Sequence, residues 1–534
     1  MESLTHPAMT GSTPTQAPRL AELMAAMSIA TDYGMGQPVD YAQATCVLGM
    51  RLGEAAGLSS AELRDVYYQA LLRFIGCNAE TYAMAAVVGD ELALRAEFAA
   101  IDAGKPRQVI PLAMRFIRQA NAGATPLELA AALLRGMAAL GSLETETFPG
   151  HCEVAQRLAE RLGFGPTLVR GLGQLYARWD GKGVPRGVQG EQITLPVRLV
   201  MLAQDAVTFH RLGGADQALE VARKRRGRQY DPRLVDVFLR EGQSLLADLA
   251  HQPTWQRVLA LEPGEPVTLE DAAFDSACMV LADFADIKSQ YTLAHSQHVA
   301  AIAQRGAELA GLGAEDTALA RRAALLHDIG RVGVSAGIWG KRGSLSEREW
   351  EKVRLHCYYT ERILARFPAL AKLGTVASFA HERIDGQGYF RTAQANAIAP
   401  AARLLAAADV FCAMTEERPH RPAHSADIAS EMLRAEARAG KLDPQAVAAV
   451  LAAAGAGPIP ARRRDPSLLT ERELDVLNSL ARGRSNKEIA RDLGSAPKTV
   501  DNQVQSIYQK LGVRTRAGAT LAAMERSLLC GWGA

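Results

Sequence analysis

From Pro18 to Ser28 apolar and polar positions alternate at helical spacing, which predicts a first helix. A longer helical stretch begins at Tyr41 and runs YAQATCVLGMRLGEAAGLSSAELRDVYYQALLRFIG. The pattern returns from His295 as HSQHVAAIAQRGAELAGLGAEDTALARRAALLHDIG, where ALLHDIG (324–330) answers ALLRFIG (70–76). Further pairs follow in order. His151-Cys152 matches His356-Cys357, Tyr176 falls close to His381, and Asp205 follows Pro196 as Asp409 follows Pro400. QYDPRLVDVF from Gln229 answers KLDPQAVAAV from Lys441. Self-similarity of this length is an internal repeat. The first copy carries extra helical sequence, roughly Gly89 to Leu143, that the second lacks. Between the copies, residues 251–284 hold three prolines and turn signals, then enter a helix carrying Cys278 and Asp283, and read as a plain linker.

A third pattern starts after Gly455. GAGPIPARRRDPSLL cannot be helical throughout, and its Arg462–Arg464 run reads as a solvated charge cluster. Thr470 with Glu473 and Ser485 with Glu488 form two capping boxes, closed by Gly483 and Gly494. Pro497 opens a third helix whose buried stripe is Val500, Val504, Ile507 and Leu511. Helix, glycine turn, amphipathic helix predicts a helix-turn-helix.

Composition changes little in this picture. At 534 residues the chain needs two to four domains, and its wealth of Ala, Leu and Arg favours helices. A net charge of +2 gives no global polyanion attraction, so nucleic-acid contact must be local. Seven scattered cysteines without a C-x-x-C pair argue against a disulfide framework or a zinc ribbon. The polar start MESLTHPAMTGSTPTQAP is no signal peptide, and no run of eighteen apolar residues occurs. A cytoplasmic location and no membrane contact are expected.

The chemistry concentrates in the second copy. His327 and Asp328 end an Ala- and Leu-rich helical run, pointing about 100° apart, so they share an ion most easily near a helix end, with Asp328 free to bridge to another. His295, His356, His381 and Asp409 join them from separate, largely apolar segments. Any one alone reads best as a hydrogen-bonded core residue. Six together suit a divalent cation such as Fe, Mn or Zn. In the first copy Arg73-Phe74 stands where His327-Asp328 stands in the second, so that copy is expected to hold no ion.

The stretches HSQHVA, HDIGRVGV, HERIDGQGYF and AAADVFCAMTEERPHR, over residues 285–455, resemble the HD-GYP subgroup of the HD-domain phosphohydrolases. The resemblance implies an all-helical fold, a two- or three-metal centre and hydrolysis of cyclic di-GMP or a related cyclic dinucleotide. It carries the ligand role onto His295, His327, Asp328 (bridging), His356, His381 and Asp409, and a catalytic role onto Asp328 and Arg331. Three positions depart from the family pattern: Ala380 replaces a histidine, Arg331 a lysine, and Phe390 the proline of Gly-Tyr-Pro. Arginine can clamp a phosphate but cannot readily release its proton. One or two ions, iron or manganese, are expected.

LTERELDVL, SNKEIARDL and PKTVDNQVQSIYQKLGVRTR closely resemble the LuxR-type DNA-binding domain. By that resemblance the third helix enters the major groove of double-stranded DNA, presenting Lys498, Thr499, Asp501, Asn502, Gln505 and Ser506, with Lys510, Arg514 and Arg516 following. Asn502 and Gln505 can read base edges; Lys498 and Lys510 suit phosphates. The expected architecture is all-α. A flexible N-terminus (1–18) precedes a degenerate HD-GYP-like domain (19–250) and a linker (251–284). An HD-GYP-like metal domain (285–455), a second linker (456–467) and the LuxR-type domain (468–534) complete it. The leading expectation is a homodimeric transcriptional regulator that senses or hydrolyses a cyclic dinucleotide or other nucleotide. The alternatives are a phosphodiesterase first, with DNA binding secondary, or two copies serving only as a dimerisation scaffold.

Overall fold

A computed structural model describes residues 17–102, 105–249, 254–455 and 468–529. The Arg462–Arg464 run and most of the N-terminal segment fall outside them. Every regular element among the described residues is helical, and β-pairing is confined to isolated bridges. None of these helices is long and apolar enough to cross a membrane.

The first copy runs through α1 (Leu20–Gly34), α2 (Tyr41–Ala55), α3 (Ser60–Leu71), α4 (Thr81–Val88), α5 (Glu91–Phe98), α6 (Pro106–Ala120), α7 (Pro126–Ser142), α8 (Phe148–Arg161), α9 (Pro166–Leu172), α10 (Leu195–Arg225) and α11 (Pro232–Asp248). After the short α12 (Thr254–Ala260), the second comprises α13 (Asp271–Asp286), α14 (His295–Leu309), α15 (Ala314–Leu326), α16 (Ala336–Trp339), α17 (Glu347–Leu364), α18 (Pro368–Ser378), α19 (Pro400–Thr415), α20 (Ala426–Arg438) and α21 (Pro444–Gly455). The C-terminal module is α22 (Glu471–Ala481), α23 (Asn486–Asp492), α24 (Pro497–Leu511) and α25 (Arg516–Glu525).

The repeat extends to details that only a shared backbone path explains. Asp40 and Ala294, at φ 75° and 62°, hold the left-handed conformation just before α2 and α14. A non-glycine residue there carries a strain of about 1–3 kcal/mol, so its recurrence marks a feature held by its surroundings. Asp32 accepts a hydrogen bond from Ala42 N at 3.1 Å, and Asp286 from Ser296 N at 2.9 Å. Arg198 pairs with Asp231 at 2.6 Å as Arg403 pairs with Asp443 at 2.8 Å. The turn after α3 presses on α8 so closely that a Cβ on Gly76 would sit 1.9 Å from His151 O; on Gly330 it would meet His356 O at 2.0 Å. Glycine is required at both turns because a helix backbone occupies the side-chain position. The helices α5–α7 are the extra sequence of the first copy and make their own small apolar cluster around Val88, Phe116 and Ile117.

Residues 254–284 differ from the plain linker expected. Val258 is fully buried, Leu20 N donates to Val267 O at 2.8 Å, and Leu269 N donates to Pro18 O at 2.9 Å. α13 buries Cys278, Val280, Leu281 and Phe284 and is the opening helix of the second copy, as α1 is of the first. That copy therefore starts near Asp271 and not at 285.

One continuous apolar core spans both copies. Tyr33 packs on Tyr359 with ring centroids 4.5 Å apart, and Asn78 Nδ2 donates to Phe284 O at 3.2 Å. Glu91 of α5, fully buried, accepts from Ser335 Oγ at 2.6 Å and Ala336 N at 2.9 Å, with Lys288 Nζ 3.5 Å away. The C-terminal module has a separate core built on the expected stripe. Its α25 also packs on α8: Glu153 accepts from Arg514 N at 2.8 Å and Thr515 Oγ1 at 2.6 Å, and Arg157 pairs with Glu525 at 2.8 Å.

A candidate metal centre and a candidate nucleic-acid interface

Each of the six predicted polar residues of the second copy reaches the same point from a different element. His295 is the first residue of α14, and His327 caps α15 with Asp328 leading into a tight turn, Ile329–Gly333. Thr360 fixes that turn. Its hydroxyl donates to His327 O at 2.9 Å and accepts from Gly330 N at 3.1 Å. His356 comes from α17, Asp409 from α19, and His381 from the segment after α18.

The donor atoms converge. His295 Nε2 lies 3.2 Å from Asp409 Oδ1 and 3.9 Å from Asp328 Oδ2. His327 Nε2 is 3.4 Å from Asp328 Oδ1 and 3.6 Å from Asp409 Oδ1; His356 Nε2 is 3.8 Å from Asp328 Oδ1. His381 Nδ1 stands 3.7 Å from Asp409 Oδ2. His295, His327 and Asp409 offer ligand atoms within 4.8 Å of one another, and so do His356, Cys357 and His381. All are buried except His381, which is partly exposed and has Tyr389 stacked on its ring at 4.7 Å.

The outer contacts aim the imidazoles. His295 Nδ1 bonds Glu416 at 2.7 Å, His327 Nδ1 bonds Ala324 O at 2.7 Å, and His356 Nδ1 bonds Val353 O at 2.5 Å. With Nδ1 held by an acceptor, Nε2 carries the free lone pair toward the carboxylates, the arrangement that orients metal-binding histidines. His327 Nε2 and Asp328 Oδ1 are buried with no hydrogen-bond partner. Leaving such atoms unmet is costly, and a cation satisfies both, so this donor set fits a divalent metal. The electrostatics agree. Burial disfavours charge on Asp328, yet Arg331 and the three imidazoles hold its carboxyl well below the usual range. Burial pushes His356 down to about 4 and keeps it a neutral ligand. Around His295 the burial penalty is outweighed by Glu416 and Asp409, which raise it to about 10; these carboxylates favour positive charge at that point, and a cation bound at Nε2 would take the proton's place.

Arg331 does more than neighbour the pair. Its Nη1 donates to Asp328 Oδ2 at 2.6 Å, and its guanidinium lies 4.0 Å from the Trp339 ring centre. One of the two carboxylate oxygens of Asp328 is thus engaged by a fixed positive group. Glu416 escaped the sequence reasoning. The available signal was its position seven residues after Asp409, nearly the same helical face.

In the first copy the corresponding groups engage one another. His151 Nδ1 accepts from the Tyr176 hydroxyl at 2.9 Å while Nε2 faces Ala79 O at 3.2 Å. Asp205 is held by Arg225 at 2.6 Å, by Gln229 at 3.1 Å and by the Tyr230 hydroxyl. Among the described residues, no set of ligand atoms remains there for a cation.

In the C-terminal module Lys498, Thr499, Asp501, Asn502 and Gln505 are exposed on α24. Asp501 accepts from Asn486 Nδ2 at 2.8 Å. Three of the other residues expected at DNA are engaged internally. Ser506 and Lys510 both donate to Glu473 at 2.7 Å, because that capping-box carboxylate lies under α24. Arg516 donates to Arg484 O at 2.7 Å and Leu480 O at 3.2 Å, capping the end of α22. Arg514 keeps an exposed side chain beside the contact with α8.

Comparison with known proteins gives two family matches: the HD domain over residues 119–234 and 279–446, more than half the chain, and the luxR family of bacterial regulatory proteins over 467–523. The chain is 30% identical over 435 residues to the 3′3′-cGAMP-specific phosphodiesterase 3 of Vibrio cholerae, covering 81% of this chain and 94% of that protein. A crystal structure of a cyclic GMP-AMP specific phosphodiesterase from V. cholerae superposes with a TM-score of 0.57 at 29% identity, covering 83% of this chain and 99% of the other. The Bacillus subtilis transcriptional regulatory protein YdfI is 41% identical over 68 residues, 13% of this chain and 32% of that protein.

Proposed function

The chain belongs to the HD-domain family, with a luxR-family helix-turn-helix at its C-terminal end, and on that premise we propose that its second copy is a metal-dependent phosphodiesterase site for a 3′3′-linked cyclic dinucleotide, coupled to a module that binds double-stranded DNA. The carrying observation is the pair of orphaned buried atoms, His327 Nε2 and Asp328 Oδ1, at the meeting point of imidazoles whose outer nitrogens are already held. His295, His327, Asp328 and Asp409 hold a cation, iron or manganese by the mixed nitrogen and oxygen donor set. Such a cation supplies Lewis acidity and lowers the pKa of water. Arg331, stacked on Trp339 and braced by Asp328, presents its remaining N–H groups to a phosphate in a fixed fork. The partly exposed His381 and the Tyr389 stacked on it flank the incoming nucleotide. The DNA output works as a homodimer on half-sites about one helical turn, roughly 34 Å, apart.

Elemental analysis of anaerobically purified protein, followed by turnover of 3′3′-cGAMP and cyclic di-GMP, tests the site. About one equivalent of metal and hydrolysis, both absent in His327→Ala, is the expected outcome. Metal content equal to that control removes the enzymatic reading. A gel shift with the upstream region of its own gene tests the DNA arm.

A second reading, binding of the nucleotide without turnover, is favoured by one feature: Arg331 occupies Asp328 Oδ2, and Ala380 supplies no second-cation ligand. Hydrolysis that stays absent in metal-loaded protein while the dinucleotide still binds selects this reading.

A further inference from the structure

The first copy encloses a cavity of about 640 Å³. It is lined by Tyr41, Arg73, Phe74, His151, Tyr176 and Asp205, the six positions that answer His295, His327, Asp328, His356, His381 and Asp409. The place of a metal centre is thus kept open as a chamber with different walls. Its roof comes from α4 and the extra helices α5–α7, which add apolar side chains including Val87, Leu94, Leu112 and Ile117.

At its base stands a charge without a counter-charge. Arg73 is 9% exposed; its Nε and Nη1 have no hydrogen-bond partner, and Nη2 reaches only Leu175 O at 3.3 Å. Its guanidinium lies 5.8 Å from the Phe74 ring centre. The nearby carboxylate, Asp205, is already satisfied by Arg225, Gln229 and Tyr230. A buried guanidinium with two unmet donors is costly alone and becomes favourable when an anion accepts from both.

We propose that the first copy is a receptor for a small amphipathic organic anion, with a carboxylate or phosphate head on Arg73 and an apolar body beneath α4–α7. The guanidinium replaces a cation as the anion-binding charge at the same point of the fold, and supplies no Lewis acid. The volume is that of a drug-sized site. Apolar side chains dominate the walls, which favours an apolar body over a doubly charged cyclic dinucleotide with its riboses. The chamber is also lined by Ala481, Ser485 and Arg516 of the helix-turn-helix, which places it against the DNA-binding module. The inference does not depend on whether the second copy turns over substrate.

Displacement of 8-anilinonaphthalene-1-sulfonate from the full chain by decanoate, decyl phosphate and decanol tests it. One saturable site per chain is expected, with either anion binding at least tenfold more tightly than decanol; the tighter anion identifies the head group. Arg73→Met should remove that preference while leaving decanol affinity unchanged. The anion–decanol comparison on the unaltered chain stands even if the variant fails to fold. Equal affinity for decanoate, decyl phosphate and decanol, no saturable site, or displacement by cyclic di-GMP in preference to the aliphatic anions overturns the proposal.

Discussion

The two copies share a backbone and differ in what lies at its centre. In the second, three imidazoles with held outer nitrogens face Asp328 and Asp409, leaving two polar atoms unmet. In the first, His151 and Tyr176 bond each other, Asp205 is neutralised, and Arg73 with Phe74 fills the central pair. Strain and close approach are nevertheless retained: Asp40 keeps the left-handed turn of Ala294, and Gly76 keeps the tight contact of Gly330. The scaffold therefore does not depend on the metal ligands for its shape. It depends on the turn glycine, the capping aspartates and the shared apolar core, and these leave the six central positions free to change chemistry.

The largest effect that would sharpen this contrast is at the central pair. His327→Ala should abolish metal retention and hydrolysis, while Phe74→Ala in the first copy should leave both intact. Loss of bound metal from the Phe74 variant would break the separation between the copies. Next, Gly330→Ala and Gly76→Ala should each lower stability by about 3 kcal/mol or more, since the added Cβ meets a helix carbonyl and the backbone must move. Denaturant unfolding of both variants checks whether the two turns are equally intolerant. If Gly76→Ala alone is harmless, the first copy is not under the same constraint.

Glu416→Gln should weaken metal affinity about 10- to 100-fold, read by competition with a chelator, by removing the charge that orients His295. The smallest effect concerns Glu80, which lines the chamber of the first copy. Burial raises its pKa to about 7, with Arg516 pulling the other way. Because the folded-state value exceeds the unfolded one, the native protein binds this proton more tightly. Stability from this group is fully present below about 4.5 and falls as pH rises to about 7. Glu80→Gln should flatten that part of the pH–stability curve; an unchanged slope would assign it to other groups.

Much was legible without a structure. Helical periodicity, two capping boxes and the ALLRFIG/ALLHDIG echo were enough to establish an all-helical chain with a repeat and a helix-turn-helix, because those signals are local and periodic. Residue type at matched positions also predicted which copy carries ligand chemistry. Tertiary structure decided what depends on neighbours distant in sequence. Glu416 finds His295 across 121 residues, and α13 emerges as the second copy's opening helix only through its packing. Ser506 and Lys510 turn to Glu473 because a carboxylate lies within reach under α24, which no count of polar residues on that helix conveys. The empty space around Arg73 likewise belongs to the fold. A sequence states which groups exist, whereas cavities and unmet donors arise from how distant segments fail to fill the volume between them.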